Sequence, residues 1–129
     1  MSSIFTKIVR GEIPSYKVAE DGEFLSFLDA MPLVEGHTLV IPKEEIDFIF
    51  DLDTEKHQRL WAFAQQVAKK LEKTYPGKRI AVAVVGIEVP HAHIHLVPIS
   101  EMDDLNFSNK RLNFTPEEYT AIAEKIKNN

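Results

Sequence analysis

His91-Ala92-His93-Ile94-His95-Leu96-Val97-Pro98 carries three of the chain's five histidines at strict i, i+2, i+4 spacing, with Ala92, Ile94 and Leu96 in the alternate places. Successive side chains of a β-strand point to opposite faces. The pattern therefore predicts a strand with three imidazoles on one face, roughly 6–7 Å apart, and three apolar side chains on the other. Near neutral pH an imidazole can donate a proton, accept one or attack an electrophile. The segment reads as an active-site wall with a core-facing back. A lone strand histidine is usually a packing residue, but three in strict alternation ask for more, and a tag or disordered tract would cluster them. A metal site is the second reading, since histidine is a common zinc ligand. Two of the three could share one ion. The third would sit too far along a straight strand, and the chain has no cysteine to complete a set.

Before this segment, residues 79–85 are nearly all apolar and predict a buried strand, separated from the histidines by residues 86–90. Residues 3–10 predict a short helix ended by Gly11 and Pro14. Strands are predicted over 16–20, 23–29 and 38–42, the first two joined at Asp21-Gly22, a hairpin signal. A helical turn within 43–52 would place Ile46, Ile49 and Phe50 on one side. The long helix begins at Asp53 as N-cap, with Glu55 in its first turn. Leu60, Trp61, Phe63, Ala64, Val67, Ala68 and Leu71 recur at helical spacing until Tyr75-Pro76-Gly77 stops it. After a loop over 100–113, Thr115-Pro116-Glu117-Glu118 gives a capping box opening a helix striped by Tyr119, Ile122, Ala123 and Ile126. Helices and antiparallel-prone strands without regular βαβ alternation indicate an α+β fold.

The length of 129 residues fits one domain, 1–129, with 99–129 as a C-terminal loop and helix extension. The net charge of −5 and pI near 5.5 argue against a nucleic-acid partner. Lys69-Lys70, Lys73 and Lys78-Arg79 form the densest basic cluster, which reads as a solvated helix end. Absence of cysteine fits a reducing compartment. With neither a signal-like apolar run nor a membrane-length stretch, the cytoplasm is expected and a membrane partner is not.

The His-φ-His-φ-His-φ-φ segment resembles the signature of the histidine triad (HIT) nucleotide hydrolases and transferases. Further blocks carry the resemblance to that family's nucleoside-binding branch: Ile4-Phe5-Thr6-Lys7-Ile8-Val9-Arg10-Gly11-Glu12-Ile13-Pro14, Phe24-Leu25-Ser26-Phe27-Leu28-Asp29-Ala30-Met31-Pro32 and Gly36-His37-Thr38-Leu39-Val40-Ile41-Pro42-Lys43. It spans about residues 3–98. The resemblance implies a five-stranded antiparallel sheet with two main helices, dimerising into a ten-stranded sheet, and no cofactor. It implies that His93 is the nucleophile that takes a nucleoside phosphate, that His95 donates to a phosphate oxygen, and that His91 and His37 orient them. It implies that Asp29 accepts the ribose hydroxyls and that Phe5, Ile8, Ile13, Phe27 and Leu28 form the slot for a base, with purine preferred. A neutral imidazole suits this chemistry, since it splits one hard attack on an anionic phosphorus into two easier steps.

The chain departs from that branch just before the triad. There the branch has a longer, Gly-rich loop that begins with Asn and ends Gly-Gln-Ser-Val. Here the loop is Val85-Gly86-Ile87-Glu88-Val89-Pro90, with Ile87 and Glu88 replacing Gln and Ser. An ionised Glu88 directed inward would oppose phosphate; a protonated one could serve the leaving group. The sequence thus carries two main functional readings. One is a purine nucleoside-phosphate hydrolase or nucleotidyl transferase working through His93. The other is a nucleotide-binding homodimer with little turnover. A metal-dependent hydrolase is a third.

Overall fold

In the computed structural model, which describes residues 2–129, the most apolar segments form the middle of the sheet. β2 (Phe24–Leu28) and β3 (Thr38–Pro42) are buried at every position. With β1 (Lys17–Glu20), β4 (Arg79–Ala83) and β5 (Ile94–Ile99) they make one five-stranded sheet in the order β1-β2-β3-β5-β4, every neighbouring pair antiparallel. Full burial of the central strands means that both sheet faces are covered.

One face carries the larger core. Phe24, Leu28, Val40, Ile94 and Leu96 pack there against Leu60, Phe63, Ala64, Val67 and Leu71 of α2 (Thr54–Thr74) and Tyr119, Ile122, Ala123 and Ile126 of α3 (Pro116–Lys127). Both helices start where their caps predict. Asp53 accepts the Lys56 N–H at 2.9 Å, and Thr115 and Glu118 exchange reciprocal bonds at 3.1 and 2.8 Å. The opposite face carries Leu25, Phe27, Leu39 and Ile41, covered by Phe5 and Ile8 of the six-residue α1 (Ile4–Val9). No helix among the described residues is long and apolar enough to cross a membrane.

Several local expectations need correction. β4 is not a buried strand. It lies at the sheet edge, and Val82, Val84 and Val85 are 39–50% exposed. An apolar run shows hydrophobicity but not which neighbours a strand has. The 3-10 turn at Ile49–Asp51 buries Ile49 but leaves Phe50 83% exposed, because consecutive side chains of a tight turn diverge. The β1–β2 hairpin forms without a left-handed Gly22; Asp21 Oδ1 instead accepts the N–H groups of Glu23 and Phe24, each at 2.8 Å. Gly36 does need its freedom. Its φ is +91°, and a Cβ there would fall 2.5 Å from a ring carbon of Tyr75.

The three histidines do not share a regular strand. β5 begins at Ile94, so only His95 pairs within the sheet, opposite Leu39 and Ala83. The stretch before it bonds elsewhere: Ala92 N–H reaches Ile46 O at 2.7 Å and His91 N–H turns back to Val89 O at 2.8 Å. Pro90 donates no N–H and favours that departure. Alternation still survives, with Ala92, Ile94 and Leu96 all in the larger core.

Candidate active site

A cavity of about 550 Å³ opens where α1, the ends of β2 and β3, the 85–89 loop and the C-terminal segment meet. Phe5, Ile8, Phe27, Leu28, Asp29, Glu88, His93 and His95 line it. Ile13 does not. It packs half-buried against the smaller apolar cluster, beside Phe5 and Ile8, which do line the cavity. His91 is also absent from the lining and is completely buried. The expected wall of three imidazoles is therefore two imidazoles with a third behind them.

Hydrogen bonds fix the ring protons. His93 Nδ1 lies 2.7 Å from the His91 carbonyl oxygen, which can only accept, so Nδ1 carries the proton. In the neutral ring this leaves a lone pair on Nε2, for which no protein partner is present among the described residues. His37 has the opposite assignment. Its Nδ1 accepts the Leu33 N–H at 3.0 Å, so its proton is on Nε2, which donates to His95 Nδ1 at 2.9 Å. His95 Nδ1 is then an acceptor and its proton sits on Nε2. The cavity thus has a nucleophilic nitrogen on one ring beside an N–H donor on the next, with ring centroids 5.0 Å apart.

Burial keeps His37 and His95 neutral. Desolvation, assisted by the charges of His95 and Arg111, lowers the His37 pKa to about 3. Desolvation, then His93 and Arg111, lowers that of His95 to about 4. His37 Nε2 also lies 3.4 Å from Asp29 Oδ2, but a neutral His37 makes this a weak polar contact rather than an ion pair.

His91 is anchored from α1. Its Nε2 donates to Pro42 O at 2.8 Å, so Nδ1 is the acceptor and faces Ser3 Oγ at 2.8 Å. Ser3 Oγ accepts the Thr6 N–H as N-cap of α1, and Thr6 Oγ1 donates to Glu45 at 2.6 Å. Those bonds, from Ser3 N–H and Thr6 Oγ1, hold the Glu45 carboxyl at about 2. The helix that carries Phe5 and Ile8 is thereby tied to the residue whose carbonyl orients His93.

Asp29 ends β2. Its Oδ1 accepts the Met31 N–H at 2.8 Å, and desolvation raises its pKa against the opposing pull of that bond, Arg111 and His93. Glu88 is exposed at the cavity mouth.

Asp29 Oδ2, His37 Nε2 and His95 Nδ1 are close enough together to hold a cation. The proton pattern does not suit one. Leu33 occupies the Nδ1 lone pair of His37, so a metal on Nε2 would have to displace that ring's only proton and break the bond to His95.

The C-terminal segment contributes residues that sequence reading missed. Phe107 packs edge-on against His95 with centroids 4.9 Å apart, Arg111 lies 5.6 Å over Phe107, and the Tyr119 hydroxyl donates to the carbonyls of Asp29 and Ala30 at 3.1 Å. All three line the cavity. The loop that carries Phe107 and Arg111 has no periodicity, so no local signal marked them.

Comparison with known proteins shows the family and the fold. An uncharacterized HIT-like protein of Borreliella burgdorferi is 36% identical across 98% of this chain and 96% of its own length. The adenosine 5′-monophosphoramidase of Schizosaccharomyces pombe is 34% identical, over 98% and 96% of the two chains. The crystal structure of a Hit-like protein from Bartonella henselae superposes with a TM-score of 0.85 at 33% identity, covering 98% of this chain and 95% of that one. A family model for the HIT domain matches residues 10–102, and the chain belongs to the histidine triad family.

Proposed function

We propose that the protein hydrolyses or transfers nucleoside phosphates, purine nucleotides first among them, through a nucleotidyl adduct on His93. The observation that carries this reading is the pair of opposite ring assignments, a lone pair at His93 Nε2 beside a proton at His95 Nε2. The His93 lone pair forms a bond to phosphorus as the bond from phosphorus to the leaving group breaks. The leaving group departs with that electron pair and takes up a proton from solvent. The His95 N–H holds a phosphoryl oxygen, and the His91 carbonyl steadies the positive charge on the substituted His93 ring. Water then attacks phosphorus, the P–N bond breaks, and the proton consumed earlier is returned.

Phe5, Ile8 and Phe27 give the cavity an apolar wall suited to a flat base, and Asp29 is the acceptor for ribose hydroxyls. The S. pombe relative supports an adenosine phosphoramidate as the first substrate to test. The half-exposed edge of β4 supports a homodimer that continues the sheet to ten strands. A cysteine-free chain is suited to the cytoplasm.

Rapid mixing with adenosine 5′-phosphoramidate, an alkaline quench and mass spectrometry should find adenylate on His93 within one turnover. Turnover without an adduct on any residue would rule out the covalent route. Tight binding without turnover would favour the second reading, a nucleotide-binding homodimer, which the exposed carboxylate of Glu88 at the cavity mouth supports.

A further inference from the structure

Arg111 is the only lysine or arginine among the described residues that line the cavity. Its guanidinium is held in place, with Nη1 donating to Met31 O at 2.9 Å and Nη2 to Phe107 O at 3.1 Å. The ring of Phe107 lies under it, and that ring rests in turn on His95. These two bonds use two of the five N–H groups of an arginine. No carboxylate among the described residues forms an ion pair with it, although its charge is felt at Asp29, His37 and His95. The transferred phosphoryl group already has His95 as a donor. A fixed guanidinium with spare donors, beside apolar walls that weaken screening, is a receptor for a planar or tetrahedral oxyanion.

We propose that Arg111 binds a second anionic group of the substrate, carried in addition to the phosphoryl group at His93, so that the cavity selects nucleotides with two separate phosphate groups over monophosphates. The inference rests on the nucleotide reading above. Two positions on a nucleotide could supply the group. One is an extension of the 5′ phosphate chain on the leaving-group side. The other is a 2′ or 3′ phosphate at the ribose edge, since the Met31 carbonyl that anchors Arg111 lies two residues beyond Asp29.

The test is equilibrium binding at one ionic strength of AMP, α,β-methylene-ADP, 2′,5′-ADP and 3′,5′-ADP. At least one bisphosphate should bind the wild type about tenfold more tightly than AMP, the scale of one charge-assisted bond. Which one does so assigns the side. Arg111→Gln should bring that ratio near one, and Arg111→Lys, which keeps the charge without the fork, should fall between. A wild-type ratio near one overturns the inference with no variant needed, as does a ratio that survives in folded Arg111→Gln. Failure of AMP itself to bind overturns the nucleotide reading, and this inference with it. AMP binding without a bisphosphate advantage overturns this inference alone.

Discussion

The two faces of the sheet are built from the same strands and do opposite work. On one, α2 and α3 seal a continuous apolar core around Ile94 and Leu96. On the other, one six-residue helix covers part of the sheet and leaves the cavity beside it. Alternation along a single segment sends Ile94 and Leu96 to the sealed side and His93 and His95 to the open one. Stability and chemistry are thus separated by one residue of register. The sealed face contributes through burial of apolar area, and the open face holds polar groups that burial keeps neutral and a fixed hydrogen-bond pattern keeps aligned.

Neighbouring positions can be used to break that separation. His93→Ala should lower turnover of adenosine 5′-phosphoramidate by several orders of magnitude while the melting temperature and AMP affinity stay close to wild type. Steady-state kinetics beside a thermal melt checks this, and near-normal turnover would remove His93 from the mechanism. One residue along, Ile94→Ala should do the reverse. It should cost about 2–5 kcal/mol of stability in urea unfolding, with kcat per folded molecule little changed.

Acid should weaken the open face before most carboxylates protonate. His37 and His95 keep pKa values of about 3 and about 4 in the folded protein against an ordinary 6.5, so below pH 6.5 the unfolded chain binds protons that the folded one refuses. Their contribution is complete above pH 6.5 and is lost as pH falls through about 4 for His95 and about 3 for His37, on the order of several kcal/mol in total. Urea midpoints between pH 7 and 4.5 should fall, and His37→Gln should flatten the slope. A flat wild-type profile would mean that the buried rings accept protons freely. The smallest expected effect is at the rim, where Asp29→Asn should weaken nucleoside binding by about 1–3 kcal/mol. A 2′,3′-dideoxy nucleotide should already bind wild type poorly and lose little more in the variant. Equal losses for ribo and dideoxy ligands would reduce Asp29 to a turn residue holding the Met31 N–H.

Much of this was legible in the sequence because the signals are local. The caps at Asp53 and Thr115, the helical stripe from Leu60 to Leu71 and the hairpin at Asp21 need no distant partner to be read. The failures have one cause. Whether residues 79–85 are buried depends on which strand stands beside them, and the run ends at a sheet edge. Whether His91 faces the cavity depends on a bond between Ala92 and Ile46 that no spacing encodes. Phe107 and Arg111 reach the cavity from a loop whose residues look like any solvated connection, and long-range bonds from Arg111 to Met31 O and from Leu112 N–H to Pro32 O hold it there.

Gly36 gives the molecule an unexpected point of inheritance. The ring of Tyr75, at the end of the helix that seals the core, occupies the space a side chain at residue 36 would need, and the next residue is His37. A mutational walk has no single-step exit from this arrangement. Shrinking Tyr75 removes the collision with its ring but leaves Pro98 Cγ 3.1 Å from the new Cβ and the backbone at a φ of +91°, where side chains are strained. The far end of α2 thus holds residue 36 to glycine one position before His37, and a lineage that redesigns that end of its core works directly beside its proton pattern.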